Sequence, residues 1–231
     1  MQERIQKIIA SAGICSRRNA ESLIESKRVL VNGNLAKLGD KADSEKDEII
    51  VSGKKIKKDE KVYYLLNKPK EYLSENKKEP GKKSIYNLAS VNSINKRVMH
   101  VGRLDFMSEG MLFLTNDGDF SNKIIHPRYE LVKIYYVRAE PTFSDAEIRE
   151  LNEGVEIDGE EVECKARRIS DNEIELEIHE GKNRIVRRIM ELFDKKIFRL
   201  VRIKIGAVKL GNLGISEVRK LTSEEIKGLV G

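Results

Sequence analysis

Two short amphipathic helices are predicted at the start of the chain. The first has apolar residues at i, i+3, i+4 and i+7, namely Ile5, Ile8, Ile9 and Ala12, and Gly13 would end it. Ser16 can cap the second, whose buried face is Ala20, Leu23 and Ile24. Apolar residues of Val29–Leu35 then surround an Asn-Gly pair, which predicts a hairpin, and a second strand pair is predicted around Ser52-Gly53.

Beyond position 62 the pattern is mainly that of strands. Strands are predicted for the apolar or alternating segments 62–68, 111–115, 133–139, 173–178 and 197–205. Fewer helices are expected: one behind the capping box at Ser144–Glu147, one over Arg184–Phe193 buried through Ile185, Val186, Ile189 and Phe193, and a short one after Thr222. Many strands with few intervening helices predict an α+β fold with a largely antiparallel sheet.

A charge-rich segment, Lys54–Lys61, predicts a linker between two domains. We therefore expect a small N-terminal α/β domain over residues 1–58 and a larger mixed-sheet domain over residues 62–231. Within the second, the polar segment Lys70–Ser84 predicts a mobile loop.

The composition indicates in which cellular environment the protein is expected. No apolar stretch approaches the ~20 residues of a membrane helix, and the N-terminus leads directly into a helical pattern, so neither a membrane span nor a signal peptide is expected. Cys15 and Cys164 are far apart and outside any CxxC motif, which favours free thiols in a reducing cytoplasm.

The net charge of +6 is unevenly distributed. Residues 181–204 carry nine basic and two acidic side chains, whereas residues 140–180 carry four basic and fifteen acidic ones. Charge runs are often plain solvated faces. Here the basic run is interleaved with apolar positions, so its charges should line one side of ordered elements, as a polyanion-binding surface requires.

The run Gly102–Asn116 holds the candidate chemistry. Asp105 and Arg103 lie directly before an apolar strand, where charged groups are costly unless they are needed. If residues 102–105 are extended, Arg103 and Asp105 face the same way and Leu104 faces the core. On spacing alone, a surface turn leading into a core strand fits as well.

The same run resembles the signature of one pseudouridine synthase family, whose typical members modify small-subunit and large-subunit ribosomal RNA. That signature is Gly-Arg-Leu-Asp, two free positions, Ser or Thr, one free position, Gly, four apolar residues, then Ser or Thr, and residues 102–115 meet every fixed position. The resemblance implies that Asp105 is the catalytic residue of a reaction that cleaves uracil N1 from ribose C1′ and rejoins the base through C5. The aspartate would attack C1′ or remove a proton from C2′. No cofactor and no metal are implied.

Further segments resemble this family. Lys133-Ile134-Tyr135 matches its Lys-x-Tyr element, which implies that Tyr135 stacks on a flipped uracil, with Tyr136 on the opposite face the better candidate for a core tyrosine. Gly181–Ile189 matches the third element, which implies that Arg187 pairs with Asp105 through two parallel hydrogen bonds. The family usually has Gly two residues after Pro69, where this chain has Glu71.

RNA contacts are expected from both domains. Roughly the first 45 residues resemble the S4 RNA-binding domain, and two arginines in the first turn of its second helix, unfavourable there for the helix dipole, suggest an external anion. The predicted RNA-binding residues are Arg17, Arg18, Arg103, Lys133, Lys182, Arg184 and Arg188.

The sequence thus predicts an enzyme that converts a uridine of ribosomal RNA, with the large subunit favoured, to pseudouridine. The partner expected is ribosomal RNA and the protein is expected to be a monomer. The alternative is a non-catalytic RNA-binding ribosome-assembly factor that retains the fold, although the joint presence of Asp105, Tyr135 and Arg187 argues against it. A metal-dependent nuclease would need clustered carboxylates or histidines, and the three histidines have no metal-ligand spacing.

Overall fold

The structure is a computed structural model and describes residues 2–75, 79–129, 131–179 and 181–231. The chain forms two compact units. The first contains residues 1–62 together with 96–98 and 116–118, and the second contains 63–95, 99–115 and 119–231.

The first unit combines two helices with short strands. Its elements are β1 (Glu3–Arg4), α1 (Ile5–Ser11), α2 (Arg17–Glu25), β2 (Val29–Val31), β3 (Asn34–Leu35), β4 (Lys41–Ala42), β5 (Ile49–Val51) and β6 (Lys54–Lys55). The sheet order is β3-β2-β5-β6, with antiparallel pairing. The Asn-Gly hairpin is confirmed, because Asn32 and Gly33 both have positive φ, as a type I′ turn requires. Strand β6 includes the first two residues of the segment predicted as a linker.

The N-terminal helices follow the predicted pattern. The Ser16 side chain accepts a hydrogen bond from the Asn19 amide and so caps α2. The core of this unit comes from one face of each helix and the inner face of the small sheet: Ile5, Ile8, Ile9, Ala20, Ile24, Val29, Ala36, Ala42, Ile49 and Val51.

The second unit is dominated by one mixed sheet. Its elements are β7 (Tyr63–Lys68), β8 (Tyr72–Leu73), β9 (Lys83–Ser84), a 3₁₀ turn (Ile85–Asn87), α3 (Ala89–Asn92), β10 (Met99–Val101), β11 (Glu109–Thr115), α4 (Gly118–Ile125), a second 3₁₀ turn (Pro127–Tyr129), β12 (Lys133–Glu140), α5 (Asp145–Glu153), β13 (Val155–Ile157), β14 (Glu160–Val162), β15 (Cys164–Ser170), β16 (Glu173–Ile178), α6 (Ile185–Leu192), β17 (Lys196–Ile205), β18 (Val208–Lys209), β19 (Val218–Lys220) and α7 (Ser223–Val230).

The large sheet has the strand order β15-β16-β12-β17-β11-β7-β19, with β10 added on β11 and β18 on β17. Among the described strands of this sheet, β11 and β17 form the parallel pair and the other pairs are antiparallel. This confirms the α+β class and the largely antiparallel sheet. The capping boxes at Ser144 and Thr222 are also present.

Three details differ from the sequence predictions. The segment Lys70–Ser84 is not wholly irregular, because β8 and β9 pair in parallel within it; its residues 76–78 lie outside the described part. Helix α6 buries Met190, whereas Phe193 is only half-buried, because the helix ends at Leu192 and the chain turns away. Gly102 is not extended, since it has φ +66.

Within the described residues, no helix is both long and apolar enough to cross a membrane. Cys15 and Cys164 are free thiols, as predicted.

Candidate active site

The large sheet separates at one edge of β11. Strand β17 pairs with β11 only at Glu109 and Gly110, and β10 takes the same edge from Phe113 to Thr115. The loop 102–108 joins β10 to β11 at this point. A cavity of about 150 Å³ lies there, lined by this loop, β12, the start of α6 and β17.

Gly110 allows the two strands to meet so closely. A Cβ atom at this position would lie 2.4 Å from the carbonyl oxygen of Arg202 and 2.8 Å from its amide nitrogen. Gly110 also has φ +100, a conformation that side chains rarely adopt. The glycine of the motif is therefore a backbone requirement of the β11–β17 contact beneath the cavity.

The loop that carries Asp105 is anchored on both sides. Leu104 is buried, as predicted, and the Ser74 hydroxyl both donates to the Leu104 carbonyl (2.7 Å) and accepts from its amide (3.0 Å). The amide of Glu71 donates to the carbonyl of Phe106 (2.6 Å). Asp105, between these anchors, keeps 35% of its side chain exposed toward the cavity.

Two arginines approach the Asp105 carboxylate. Arg187 Nε lies 3.6 Å from Oδ2 and Arg184 Nη1 lies 3.9 Å from the same oxygen. Arg187 also donates through Nη2 to the Ser108 hydroxyl (3.2 Å). Burial lowers the pKa of the Arg187 guanidinium from its ordinary value, and the charge of Asp105 opposes this shift.

Lys68 supports the loop from below. Its side chain is fully buried, and Nζ donates to the carbonyls of Pro69 (2.9 Å), Ser108 (2.9 Å) and Asp105 (3.2 Å). An ammonium has three donors, and these bonds use all of them. Burial lowers the pKa of Lys68 to about 8, and the negative charges of Asp105 and Glu109 act against that shift.

The wall opposite Asp105 comes from β12 and β17. Tyr135 is 8% exposed and lies across from Arg202 in the β12–β17 register. Lys133 Nζ donates to the Leu131 carbonyl (2.9 Å), and burial together with the charge of Arg202 lowers the pKa of Lys133 to about 8. Strand β12 thus contributes an aromatic ring and a lysine to the cavity lining, and β17 contributes Arg202.

The structure brings most of the predicted site residues together. Those that line the cavity are Asp105, Tyr135, Arg187, Arg103, Lys133, Lys182 and Arg184. Arg188 is not among them, and Arg17 and Arg18 lie in α2 of the other unit. The prediction that Tyr136 is the better candidate for a core tyrosine is wrong, because Tyr136 is half-buried, with its hydroxyl donating to Glu173 (2.5 Å), whereas Tyr135 is buried. Tyr136 does not line the cavity.

Several predicted RNA contacts have protein partners. Lys182 Nζ lies 2.5 Å from Glu160, and Arg188 forms an ion pair with Asp158; both acids belong to the β13–β14 hairpin. Arg103 pairs with Glu75 (3.1 Å). Part of the basic surface is therefore balanced by neighbouring acidic side chains.

Sequence reasoning missed Lys68, Ser108 and Arg202 as members of the site. The sequence did contain an indication for Lys68, because a charged residue at the end of a buried strand needs buried hydrogen-bond partners. Among the described residues, no group of histidine, cysteine, aspartate and glutamate could hold a metal ion.

Comparison with known proteins identifies this architecture. The sequence profile described as RNA pseudouridylate synthase matches residues 62–192, which include the whole cavity loop, and the S4 domain profile matches residues 3–49. The chain belongs to the RNA pseudouridylate synthase family. It is an enzyme of that family with an N-terminal S4 domain.

Relatives of this synthase cover nearly its full length. An uncharacterized RNA pseudouridine synthase of Aquifex aeolicus is 39% identical over 99% of this chain and 94% of its own. The ribosomal large subunit pseudouridine synthase B of Bacillus subtilis is 37% identical over 98% of this chain and 95% of its own. A crystal structure of a pseudouridylate synthase, 29% identical, covers 98% of this chain and 99% of its own with a TM-score of 0.69.

Proposed function

We propose that this synthase isomerises a specific uridine of ribosomal RNA, in the large subunit, to pseudouridine, with Asp105 as the catalytic residue. The observation that supports this most is the cavity itself, in which a partly exposed carboxylate, two arginines and a buried tyrosine converge at the split in the sheet. The choice of the large subunit rests on the Bacillus subtilis relative. No observation favours the non-catalytic alternative.

The geometry supplies what the reaction needs. The target uridine must leave its helical stack, since its reacting atoms are not accessible inside it. Tyr135 offers an aromatic face for the flipped base, and Asp105 Oδ2, oriented by Arg187 and Arg184, would meet the sugar at C1′ or C2′. After the N1–C1′ bond breaks, the base turns and C5 bonds to C1′, and C5 then loses its proton.

RNA binding would be shared between the two units. The domain over residues 1–58 would contact phosphates through Arg17 and Arg18, and the domain over 62–231 would use Arg103, Lys133, Lys182, Arg184 and Arg188 around the cavity. Electrostatic contacts of this kind carry most non-specific affinity for nucleic acid and weaken with salt.

The test uses large-subunit and small-subunit ribosomal RNA, each transcribed without modifications and carrying tritium at C5 of uridine. Isomerisation releases the label to water, because C5 exchanges its hydrogen for the bond to C1′. We expect stoichiometric release from the large-subunit RNA, at one site that sequencing of the modified RNA then locates. Release from the small-subunit RNA alone would overturn the choice of subunit.

The control is Asp105→Asn, which preserves shape and removes the base and nucleophile. This variant should bind the RNA and release no tritium. Release by the variant at a rate close to that of the native protein would overturn the assignment of Asp105, whereas no release by either protein from any ribosomal RNA would overturn the proposed activity.

A further inference from the structure

Arg202 carries a buried, unpaired nitrogen. Arg202 is 5% exposed and lines the cavity, and its Nε donates to the Met111 carbonyl (2.8 Å). Its Nη2 is fully buried and has no hydrogen-bond partner among the described residues. A buried guanidinium nitrogen without an acceptor costs free energy unless a bound molecule supplies one.

The backbone around Arg202 holds this group in place. Gly110 lets β11 lie against the Arg202 backbone, and the β12–β17 register shifts between Ile134 and Tyr135, next to the point where Tyr135 meets Arg202. The guanidinium is tied to β11 through the Met111 carbonyl. Because Nη2 has no accessible surface, a ligand can accept from it only after the atoms that cover it move aside.

The charges of the cavity point to an anionic occupant. Its described lining contains six cationic side chains and a single carboxylate, that of Asp105. Arg202 and Lys133 have no ion-pair partner among the described residues, and the charge of Arg202 lowers the pKa of both Lys133 and Lys68. This excess of positive charge close to the base-binding tyrosine would be repulsive in the empty enzyme and favourable once a negative charge develops there.

We propose that Arg202 is a further catalytic residue, which donates from Nη2 to a carbonyl oxygen of the flipped uracil and stabilises the negative charge that the base acquires when it leaves C1′. The inference rests on the proposed function. When the C1′–N1 bond breaks, its electron pair passes to the base and spreads over N1, O2 and O4. The electron deficiency at C1′ is relieved in one of two ways. Either an oxygen of Asp105 bonds to C1′, or Asp105 accepts the proton of C2′ and the electron pair of that C–H bond forms a double bond to C1′. The pair on the base returns when C5 bonds to C1′, as the oxygen of Asp105 leaves C1′ or as Asp105 returns its proton to C2′. C5 then releases its proton to water and N1 takes one up.

One fixed donor can serve both halves of this reaction. A half-turn of the ring about the axis through N3 and C6 exchanges N1 with C5, and it exchanges the C2 carbonyl with the C4 carbonyl. Arg202 would therefore face a carbonyl oxygen before and after the rotation. This explains why the site would place a rigid guanidinium, and not a group selective for one carbonyl, beside Tyr135.

The experiment measures single-turnover conversion at saturating RNA by the native protein, Arg202→Met and Arg202→Lys. The RNA substrates carry uridine, 2-thiouridine or 4-thiouridine at the target position, since sulfur accepts hydrogen bonds less well than oxygen. Arg219→Met is the matched control, because it removes an ion-paired arginine of the same sheet that does not line the cavity. Far-UV circular dichroism and RNA affinity are measured for each variant.

We expect Arg202→Met to lose about a hundredfold to a thousandfold in rate with uridine, the cost of removing one such donor, while its RNA affinity stays within about twofold of the native value. Arg202→Lys should be faster than Arg202→Met but slower than the native protein. If the Met variant failed to fold, the comparison of the native protein with Arg202→Lys would provide the test. At least one thio substitution should slow the native protein more than the Arg202 variants, as coupled groups do in a double-mutant cycle.

Thio effects that are equal in the native protein and both Arg202 variants would overturn the inference, as would a loss confined to RNA affinity or one that Arg219→Met reproduces. These outcomes leave the proposed function intact, because they require a native protein that converts uridine. Absence of conversion by the native protein would instead overturn the proposed function.

Discussion

Arg187 places its Nε 3.6 Å from Asp105 Oδ2 and its Nη2 3.2 Å from the Ser108 hydroxyl. The guanidinium therefore approaches two residues of the loop 102–108. The sequence had predicted that the guanidinium holds both carboxylate oxygens of Asp105, which is not the observed geometry. Its Nε has no hydrogen-bond partner among the described residues, so it can close on Asp105 when RNA binds. The arginine has two separate contacts, and a lysine could keep only one of them.

Arg187→Lys should lose on the order of a hundredfold in single-turnover rate, because a point charge cannot hold Asp105 and Ser108 at once. Arg188→Lys, the neighbouring variant, should change only RNA affinity, since Arg188 pairs with Asp158 outside the cavity. Rates are measured at saturating RNA. Equal rates for the two variants would contradict a positioning role of Arg187.

Tyr135→Ala should reduce turnover far more than Tyr135→Phe. The ring, 8% exposed on the cavity wall, is predicted to stack on the base, and stacking contributes about 1–3 kcal/mol per base. Phenylalanine keeps that face and loses only the hydroxyl. If both variants lose the same rate in single-turnover assays, the hydroxyl and not the ring is the important group.

Lys68→Met should destabilise the protein by about 2–5 kcal/mol, because three buried carbonyls would lose their donor at once. The loop with Asp105 should loosen as well, which lowers the rate in the native buffer. Urea unfolding measures the first effect and tritium release the second. An unchanged midpoint of unfolding would show that Lys68 does not brace the loop.

The same variant tests the pKa of Lys68. The folded protein releases this proton near pH 8 and the unfolded chain near 10.5, so between these values the unfolded state binds more protons. The lysine's contribution to the free energy of unfolding should therefore rise with pH across that window. The free energy of unfolding of the native protein minus that of Lys68→Met, measured with urea at several pH values, isolates this contribution from that of other groups. A flat or falling difference would contradict the lowered pKa.

Glu71→Gly should stabilise the protein by about 0.5–1 kcal/mol. Glu71 is exposed with φ +63, where a side chain costs about 1–2 kcal/mol, and the entropy lost by glycine offsets part of the gain. Its amide bond to Phe106 is kept. Lys70→Gly, at an exposed neighbour without positive φ, should be neutral or destabilising, and thermal unfolding of the two variants gives the comparison. A Glu71→Gly protein less stable than the native one would show that the side chain is needed there.

Arg17→Gln with Arg18→Gln should weaken RNA binding and make it less salt-dependent. Removal of one phosphate contact should lower the slope of log affinity against log salt by roughly 0.7–0.9. Lys227→Gln, an exposed lysine of α7, serves as the control. Binding isotherms at several salt concentrations provide the slope, and an unchanged slope in the double variant would remove these two arginines from the RNA interface.

Local chemistry made much of the fold readable from the sequence. Period and caps located α2 behind Ser16 and α5 behind Ser144, and the Asn-Gly pair located the first hairpin, because each signal acts within one turn of the backbone. The prediction that Phe193 is a core residue was wrong, since helical periodicity cannot show where the helix ends and the chain turns. The local conformation of Gly102 was likewise hidden by a pattern that suits an extended segment.

The sequence by itself determined the family, the large antiparallel sheet and a site containing Asp105, Tyr135 and Arg187, because a long motif and short-range periodicity need no knowledge of distant contacts. The tertiary structure decided which side chains share the cavity and in what geometry. Lys68 reaches the loop from β7, and Arg202 lines the cavity from β17, where the sheet splits beside Gly110. Such contacts depend on strand order and close backbone approach, and these are set by the packing of segments far apart in the chain.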